Sequence, residues 1–181
     1  MKIGVVVLTT GRRPQELELA LDSVLAQRGV DVDAVVVGNG WEPDGLPSGV
    51  RGVGLAVDQG APAGRNAGVP HTDGELVFFL DDDASLAEPE ALARVAERFE
   101  SDPELGLLQL RVDPREGGRP PRDWVPRLRA GDPHQSPAQP VLRAQGCAGD
   151  RHQVLGGLRE DPSRPVELCL GGQCQRGPPR A

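Results

Sequence analysis

Aromatic residues are nearly missing from this chain. It has no tyrosine, three phenylalanines and two tryptophans among 181 residues. Any core must therefore be built mainly from Val, Leu and Ala. Lysine is scarcer still: Lys2 is the only one, and the other nineteen basic residues are arginine. That excludes every mechanism needing an internal lysine, including the phosphate-binding P-loop. Cysteine is limited to Cys147, Cys169 and Cys174, an odd number placed late, so no disulfide framework is readable. Cys169, Cys174 and nearby His152 lack a fourth ligand at zinc-site spacing and read as incidental groups. No stretch approaches the roughly 20 apolar residues of a membrane span. The opening MKIGVVVLTTGRR has too short an apolar run for a signal peptide, and its arginines follow that run. A soluble, cytoplasmic protein is expected, with which peripheral membrane association is compatible. Net positive charge is also absent: the formal charge is −7, which argues against binding a nucleic-acid backbone.

What is present is unevenly divided. Residues 1–113 carry 20 acidic and 9 basic side chains, and residues 114–181 carry 7 and 11. Eleven of the 18 prolines lie in the second part. From His134 onward there is no Ile, Phe, Trp, Tyr or Met, and 13 of 48 residues are Gly or Pro. Such a segment cannot bury enough apolar surface to offset its chain entropy. The expected division is a folded unit over 1–133 and a low-order Gly/Pro/Arg-rich tail over 134–181. The abrupt reversal of charge and loss of β-branched residues point to a frameshifted or otherwise non-native end beginning near GDPH (131–134).

The first part reads as alternating strands and helices. KIGVVVL (2–8) and DAVVVGNG (33–40) are apolar runs suited to strands buried on both faces. Between them, PQELELALDSVLAQRG predicts a helix with Leu17, Leu21, Val24 and Leu25 on one face, Pro14 near its start and Gly29 at its end. GVGLAV (52–57) is a weak strand, and QGAPAGRNAGV (59–69) opens a short helix. ELVFFL (75–80) is another buried strand. EPEALARVAERFES predicts a helix burying Leu92, Val95, Ala96 and Phe99, and LGLLQLRV (105–112) a final strand. This order implies an α/β fold with a mostly parallel sheet flanked by helices, followed by an irregular C-terminal tail. Ligands of such sheets bind at the carboxyl ends of the strands.

Three turns occupy that end. TTGRR offers Thr9, Thr10 and Gly11, whose hydroxyls and N–H groups suit either a phosphate or simple helix capping. The second turn, GNGW after the second strand, holds Asn39, placed to touch a base or to turn the chain. GRNAG (64–68) is either an ordinary Gly-rich helix start or a binding element in which Arg65 can pair with a phosphate, Asn66 can hold a turn or a ligand hydroxyl, and the glycines permit close backbone approach. The third turn is Asp81-Asp82-Asp83, directly after FFL. Side-chain alternation predicts that Asp81 and Asp83 point the same way. Two converging carboxylates suit a hard cation such as Mg²⁺ or Mn²⁺; the alternative is a solvated turn capping the next helix. Asp81-x-Asp83-x-Ser85 also echoes an aspartyl-phosphate phosphatase, a chemistry that recruits a downstream lysine this chain lacks.

Taken in order, VVVLTTGRR, LALDSVLAQ, DAVVVGNG, DQGAPAGRNAGV, GELVFFLDDDASL and the EPEALARVAERF helix resemble the nucleotide-sugar-binding half of family 2 glycosyltransferases. The resemblance covers about residues 1–133 and implies the GT-A fold, a Rossmann-related parallel sheet. It implies that Thr9, Thr10, Gly11, Asn39, Arg65, Asn66, Asp81 and Asp82 line the nucleotide-sugar site. It gives Asp81 and Asp83 as the D-x-D metal pair for Mn²⁺ or Mg²⁺, with Asp83 the main ligand and Asp81 nearer the ribose. The implied reaction moves a sugar from a nucleoside-diphosphate sugar to a hydroxyl of a saccharide, lipid or protein acceptor. Relatives carry an acidic residue near Gly38-Asn39, and here there is none. Relatives also place a catalytic base in a second half. The acidic residues of the tail (Asp150, Glu160, Asp161 and Glu167) have no matching context, so no catalytic base is assigned. The alternatives are a non-catalytic nucleotide-sugar-binding remnant and a nucleotidyltransferase, for which Gly11-Arg12-Arg13 is a weak echo of the Gly-rich basic loop.

Overall fold

The computed structural model describes residues 1–115 and, beyond them, the backbone of four strand segments, Arg143–Gly146, Leu155–Arg159, Cys169–Leu170 and Gln173–Cys174. The tail side chains considered above (Cys147, Asp150, His152, Glu160, Asp161, Glu167, Cys169 and Cys174) lie outside the described residues.

The valine-rich runs form the centre of the sheet. Strands β1 (Lys2–Thr9), β2 (Asp31–Asn39), β3 (Val50–Leu55) and β4 (Leu76–Asp81) are all parallel. Their order is β3-β2-β1-β4, and Leu155–Arg159 adds an antiparallel fifth strand beside β4. The chain thus winds outward from β1 through β2 to β3, then crosses back to place β4 on the other side of β1. The point of reversal lies between β1 and β4, where parallel sheets open a crevice at their carboxyl ends.

Helices cover both faces. Helix α1 (Pro14–Leu25) and helix α3 (Ala91–Ser101) pack on one face, where Ile3, Val5, Val7 and Phe78 meet Leu17, Leu21, Val24, Leu92, Val95 and Phe99. The four buried positions expected of α3 are all buried. In α1 the expected face is shifted: Ala20 is buried and Leu25 is 44% exposed. At about 100° per residue, Leu25 falls some 80° from Leu17, past the edge of the apolar stripe, while Ala20 falls inside it.

The other face carries α2 (Gly60–Gly68), extended by a 3₁₀ turn at Val69–His71. This helix lies very close to the sheet. A Cβ added to Gly68 would sit 2.4 Å from Val6 Cγ1, and one added to Gly64 would sit 2.6 Å from Leu8 Cδ1. The glycines of GRNAG do permit close approach, and what approaches is the sheet itself.

Two side chains from the end of α1 fix the layers. Gln27 donates to Ser23 and Glu88 carbonyls and accepts from Leu92 N–H at 2.9 Å, capping α3 from a distance. Ser23 accepts from Leu86 N–H in the short strand β5 (Ala84–Leu86). The strand expected at 105–112 is displaced: β6 runs Arg111–Pro114, and it pairs with Arg143–Gly146. Of LGLLQL, Leu110 is buried and Leu107 is 45% exposed. Consecutive leucines score well as a strand, but here only some of them find core to cover.

Candidate functional site at the strand ends

A cavity of about 180 Å³ opens at the carboxyl ends of β1, β2 and β4. Leu8, Thr9 and Thr10 line it from the first strand, Asn39 from the second, and Asp81 and Asp82 from β4. Arg13, Asp58, Gly60 and Ala61 complete it. The three turns expected to converge therefore do so.

Of the expected site residues, Thr9, Thr10, Asn39, Asp81 and Asp82 reach the cavity. Thr9 is buried, and its hydroxyl donates to Asp82 Oδ2 at 2.6 Å while accepting from Gly11 N–H at 3.0 Å. That hydroxyl ties the end of β1 to the end of β4. Gly11 adopts φ 74°, open to glycine, and the Trp41 ring lies where its side chain would be. Asn39 is also committed within the protein: it donates to Asp58 Oδ1 at 2.5 Å and accepts from Gln59 N–H at 2.9 Å. Asn66 is exposed on α2, outside the cavity lining.

The alternation expected of the three carboxylates stops at Asp81, where β4 ends and the chain turns. Asp82 and Asp83, rather than Asp81 and Asp83, converge on one partner. Arg13 Nη2 lies 3.1 Å from Asp82 Oδ1, and its Nη1 donates to Asp83 Oδ2 at 2.6 Å. Asp81 instead pairs with Arg65, whose Nη2 donates to Oδ1 at 2.5 Å. A turn rotates successive side chains differently from a pleated strand, which breaks the two-residue period.

Electrostatics explain why two arginines are recruited. Three adjacent buried carboxylates repel one another and cannot all stay ionised without positive charge nearby. Burial pushes the Asp82 carboxyl above its ordinary value; the Thr9 hydrogen bond and the Arg13 charge oppose this, and the Asp83 and Asp81 charges reinforce it. Arg65 is 5% exposed, and its Nε finds no acceptor among the described residues. A buried N–H without an acceptor costs about 1–3 kcal/mol, and an anionic ligand is one way to satisfy it.

Asp58 is a site residue that sequence reasoning missed, and Arg13 entered it only through the Gly11-Arg12-Arg13 echo. Arg13 precedes Pro14 at the start of α1 and makes no cap, so its side chain is available to cross to β4. Asp58 carries a local signal: it sits two residues before Gly60, whose N–H it accepts at 2.8 Å in a tight turn.

A family model described as "Glycosyl transferase family 2" matches residues 5–155. The chain belongs to glycosyl transferase family 2. No curated protein sequence matches it. Among solved structures, Staphylococcus aureus TarS (residues 1–349) is 20% identical with a TM-score of 0.54, over 68% of this chain and 39% of that one. TarS has also been solved with UDP and with UDP-GlcNAc. The mannosyltransferase PcManGT of Pyrobaculum calidifontis, solved with GDP-Man and Mn²⁺, is 25% identical with a TM-score of 0.50, over 61% of this chain and 34% of that one. These likenesses support the GT-A fold. This chain spans roughly a third of the length of these neighbours. No helix among the described residues is long and apolar enough to cross a membrane.

Proposed function

We propose that this chain binds a nucleoside-diphosphate sugar at the strand-end cavity and transfers its glycosyl group to an acceptor hydroxyl, assisted by a divalent cation. The observation that carries the reading is the cavity at the reversal between β1 and β4, walled by Thr9, Thr10, Asn39, Asp81 and Asp82. Family membership and the UDP-GlcNAc and GDP-Man complexes of the neighbours support a donor of that class. Residues 1–133 form the donor-binding unit in this reading and 134–181 the tail, and the protein acts in the cytoplasm.

The roles follow from position. Thr10 and the N–H groups of the TTGRR turn face the nucleotide, and Asn39 with Asp58 forms the wall against the base. Arg65 anchors Asp81 and lies on the diphosphate side, with Gly11 and Asn66 contributing backbone shape. In the transfer, the acceptor oxygen bonds to the anomeric carbon as the bond to the diphosphate breaks. The acceptor proton leaves to a base that is not assigned.

For the cation, the donor set is chemically suited: Asp81 and Asp83, with Asp82 between them, present only carboxylate oxygens, the ligands that Mn²⁺ and Mg²⁺ prefer. Among the described residues no group of three or more ligating side chains converges as a ready cluster. The carboxylates face arginines instead, so loading requires rearrangement. When bound, such a cation supplies Lewis-acid neutralisation of charge on the departing diphosphate.

The test is thermal stabilisation by a panel of nucleoside diphosphates with and without Mn²⁺, followed by assays of donor hydrolysis and transfer. A Mn²⁺-dependent shift that disappears in Asp83→Ala supports the reading; a shift that survives in that variant overturns the metal assignment. A second reading, donor binding without transfer, draws support from the carboxylates being held by Arg13 and Arg65. Stabilisation without turnover would select it.

A further inference from the structure

The two arginines at the carboxylate cluster are not equivalent. Arg65 is 5% exposed, on the buried side of α2, whereas the Arg13 side chain is 31% exposed and forms part of the cavity wall. Arg13 straddles Asp82 and Asp83 with both Nη atoms, at 3.1 and 2.6 Å. It therefore occupies Asp83 Oδ2, one of the two oxygens through which Asp83 could hold a divalent cation. A guanidinium and a divalent cation on one carboxylate repel each other, so the presence of either weakens the hold of the other.

We propose that Arg13 is a displaceable countercation, holding Asp82 and Asp83 until the diphosphate of the donor draws it away. The forked guanidinium matches phosphate oxygens as well as it matches carboxylates. Because Arg13 already lines the cavity, it needs only a side-chain rotation to exchange one anion for the other. The movement leaves Asp83 open to the cation at the moment the diphosphate arrives. Cation and nucleoside diphosphate then bind cooperatively, each tightening the other by the same factor. Arg13 is in this account a positioning residue whose effect is on binding order. The inference rests on the cation-assisted reading of the site given above.

The experiment measures Mn²⁺ binding directly, by electron paramagnetic resonance of the free ion, for the full chain and the Arg13→Gln and Arg13→Lys variants. Each is titrated with and without UDP and GDP. The native chain should bind Mn²⁺ weakly alone and more tightly with a diphosphate. Arg13→Gln should bind Mn²⁺ alone about five- to tenfold more tightly than the native chain, the scale expected from releasing two partly exposed ion pairs. The diphosphate should then add less. Arg13→Lys keeps the charge without the fork and should fall between the two. Equal Mn²⁺ affinity in the native chain and Arg13→Gln, with binding intact, would overturn the competition and leave the cation site standing. Absence of Mn²⁺ binding in all three, with or without diphosphate, would overturn the cation-assisted reading and this inference with it. Circular dichroism of each variant guards against misfolding, and a folded Arg13→Lys still ranks the idea if Arg13→Gln does not fold.

Discussion

Asp81 and the Asp82–Asp83 pair are neighbours in sequence, yet each is neutralised by a different part of the molecule. Arg65 approaches from α2 on one face of the sheet and is closed off from water. Arg13 approaches from the start of α1 on the other face and stays open to the cavity. The same pairing chemistry therefore does two jobs. A buried pair resists separation because each partner left alone would be an uncompensated charge in a poorly polarisable interior. The Arg13 pairs have carboxylates just as buried, but their guanidinium is partly exposed, so water and ligands can take over its side of the pair more readily.

The sharpest way to break this contrast is Arg65→Met. It removes the Arg65 charge from beside buried Asp81, and a loss of about 3–5 kcal/mol in unfolding free energy is expected in urea titrations. A loss as small as that of an exposed pair would show that Asp81 is simply protonated or solvated. Next comes Gly68→Ala, which tests what lets Arg65 reach Asp81. The added methyl meets Val6 Cγ1 at 2.4 Å, so α2 must lift, at an expected cost of about 1–3 kcal/mol in the same titration. The same change should also weaken nucleoside-diphosphate stabilisation in thermal shift. Of similar size is Arg13→Ala, expected to cost about 1–3 kcal/mol while altering Mn²⁺ affinity, because Asp82 and Asp83 stay buried although the Arg13 side chain is 31% exposed. An Arg13 effect as large as that of Arg65 would erase the distinction between them.

The smallest expected effect is a pH dependence at the opposite end of the sheet. Asp33 accepts from Asp73 N–H at 2.8 Å, from the Thr72 hydroxyl at 3.2 Å and from Arg51 at 2.6 Å. Burial alone would raise its carboxyl, but the Asp73 N–H, the Arg51 charge and the Thr72 hydroxyl together hold it below the ordinary value of 3.8. A lowered acid contributes stability that is fully present above the unfolded value and lost as pH falls through the folded one. Asp33→Asn should therefore be less stable than the native chain at neutral pH, with the difference shrinking below about pH 4. A difference that stays constant through acid would show that Asp33 acts through shape alone. Asp82 carries the opposite sign, since its raised carboxyl is relieved by acid. The two ends of the sheet should thus respond to acid in opposite directions.

How far the sequence carried depended on the range of the interactions involved. The runs GVVVL, AVVV and LVFFL read as buried strands, because apolar runs of four or five residues rich in β-branched and aromatic side chains suit a sheet covered on both faces. The α3 stripe was equally plain, since a 3.6-residue period is written along the chain. The convergence of TTGRR, Asn39 and Asp81–Asp83 followed from parallel topology alone. What stayed hidden was long-range or marginal. Leu25 lay just beyond the edge of the α1 stripe, and the last strand slipped past a leucine run that suited it equally well.

The residues themselves determined the layered α/β fold and the place of the site, because hydrophobic periodicity and strand polarity are local properties of the chain. Tertiary structure alone decided which charge faces which. Arg13 meets Asp82 and Asp83 across a separation of about 70 residues, and Arg65 meets Asp81 across 16. Ion pairs like these have no period along the chain. They arise where the reversal between β1 and β4 brings the two ends together, and where three carboxylates too close to stand alone take the nearest cations that packing supplies.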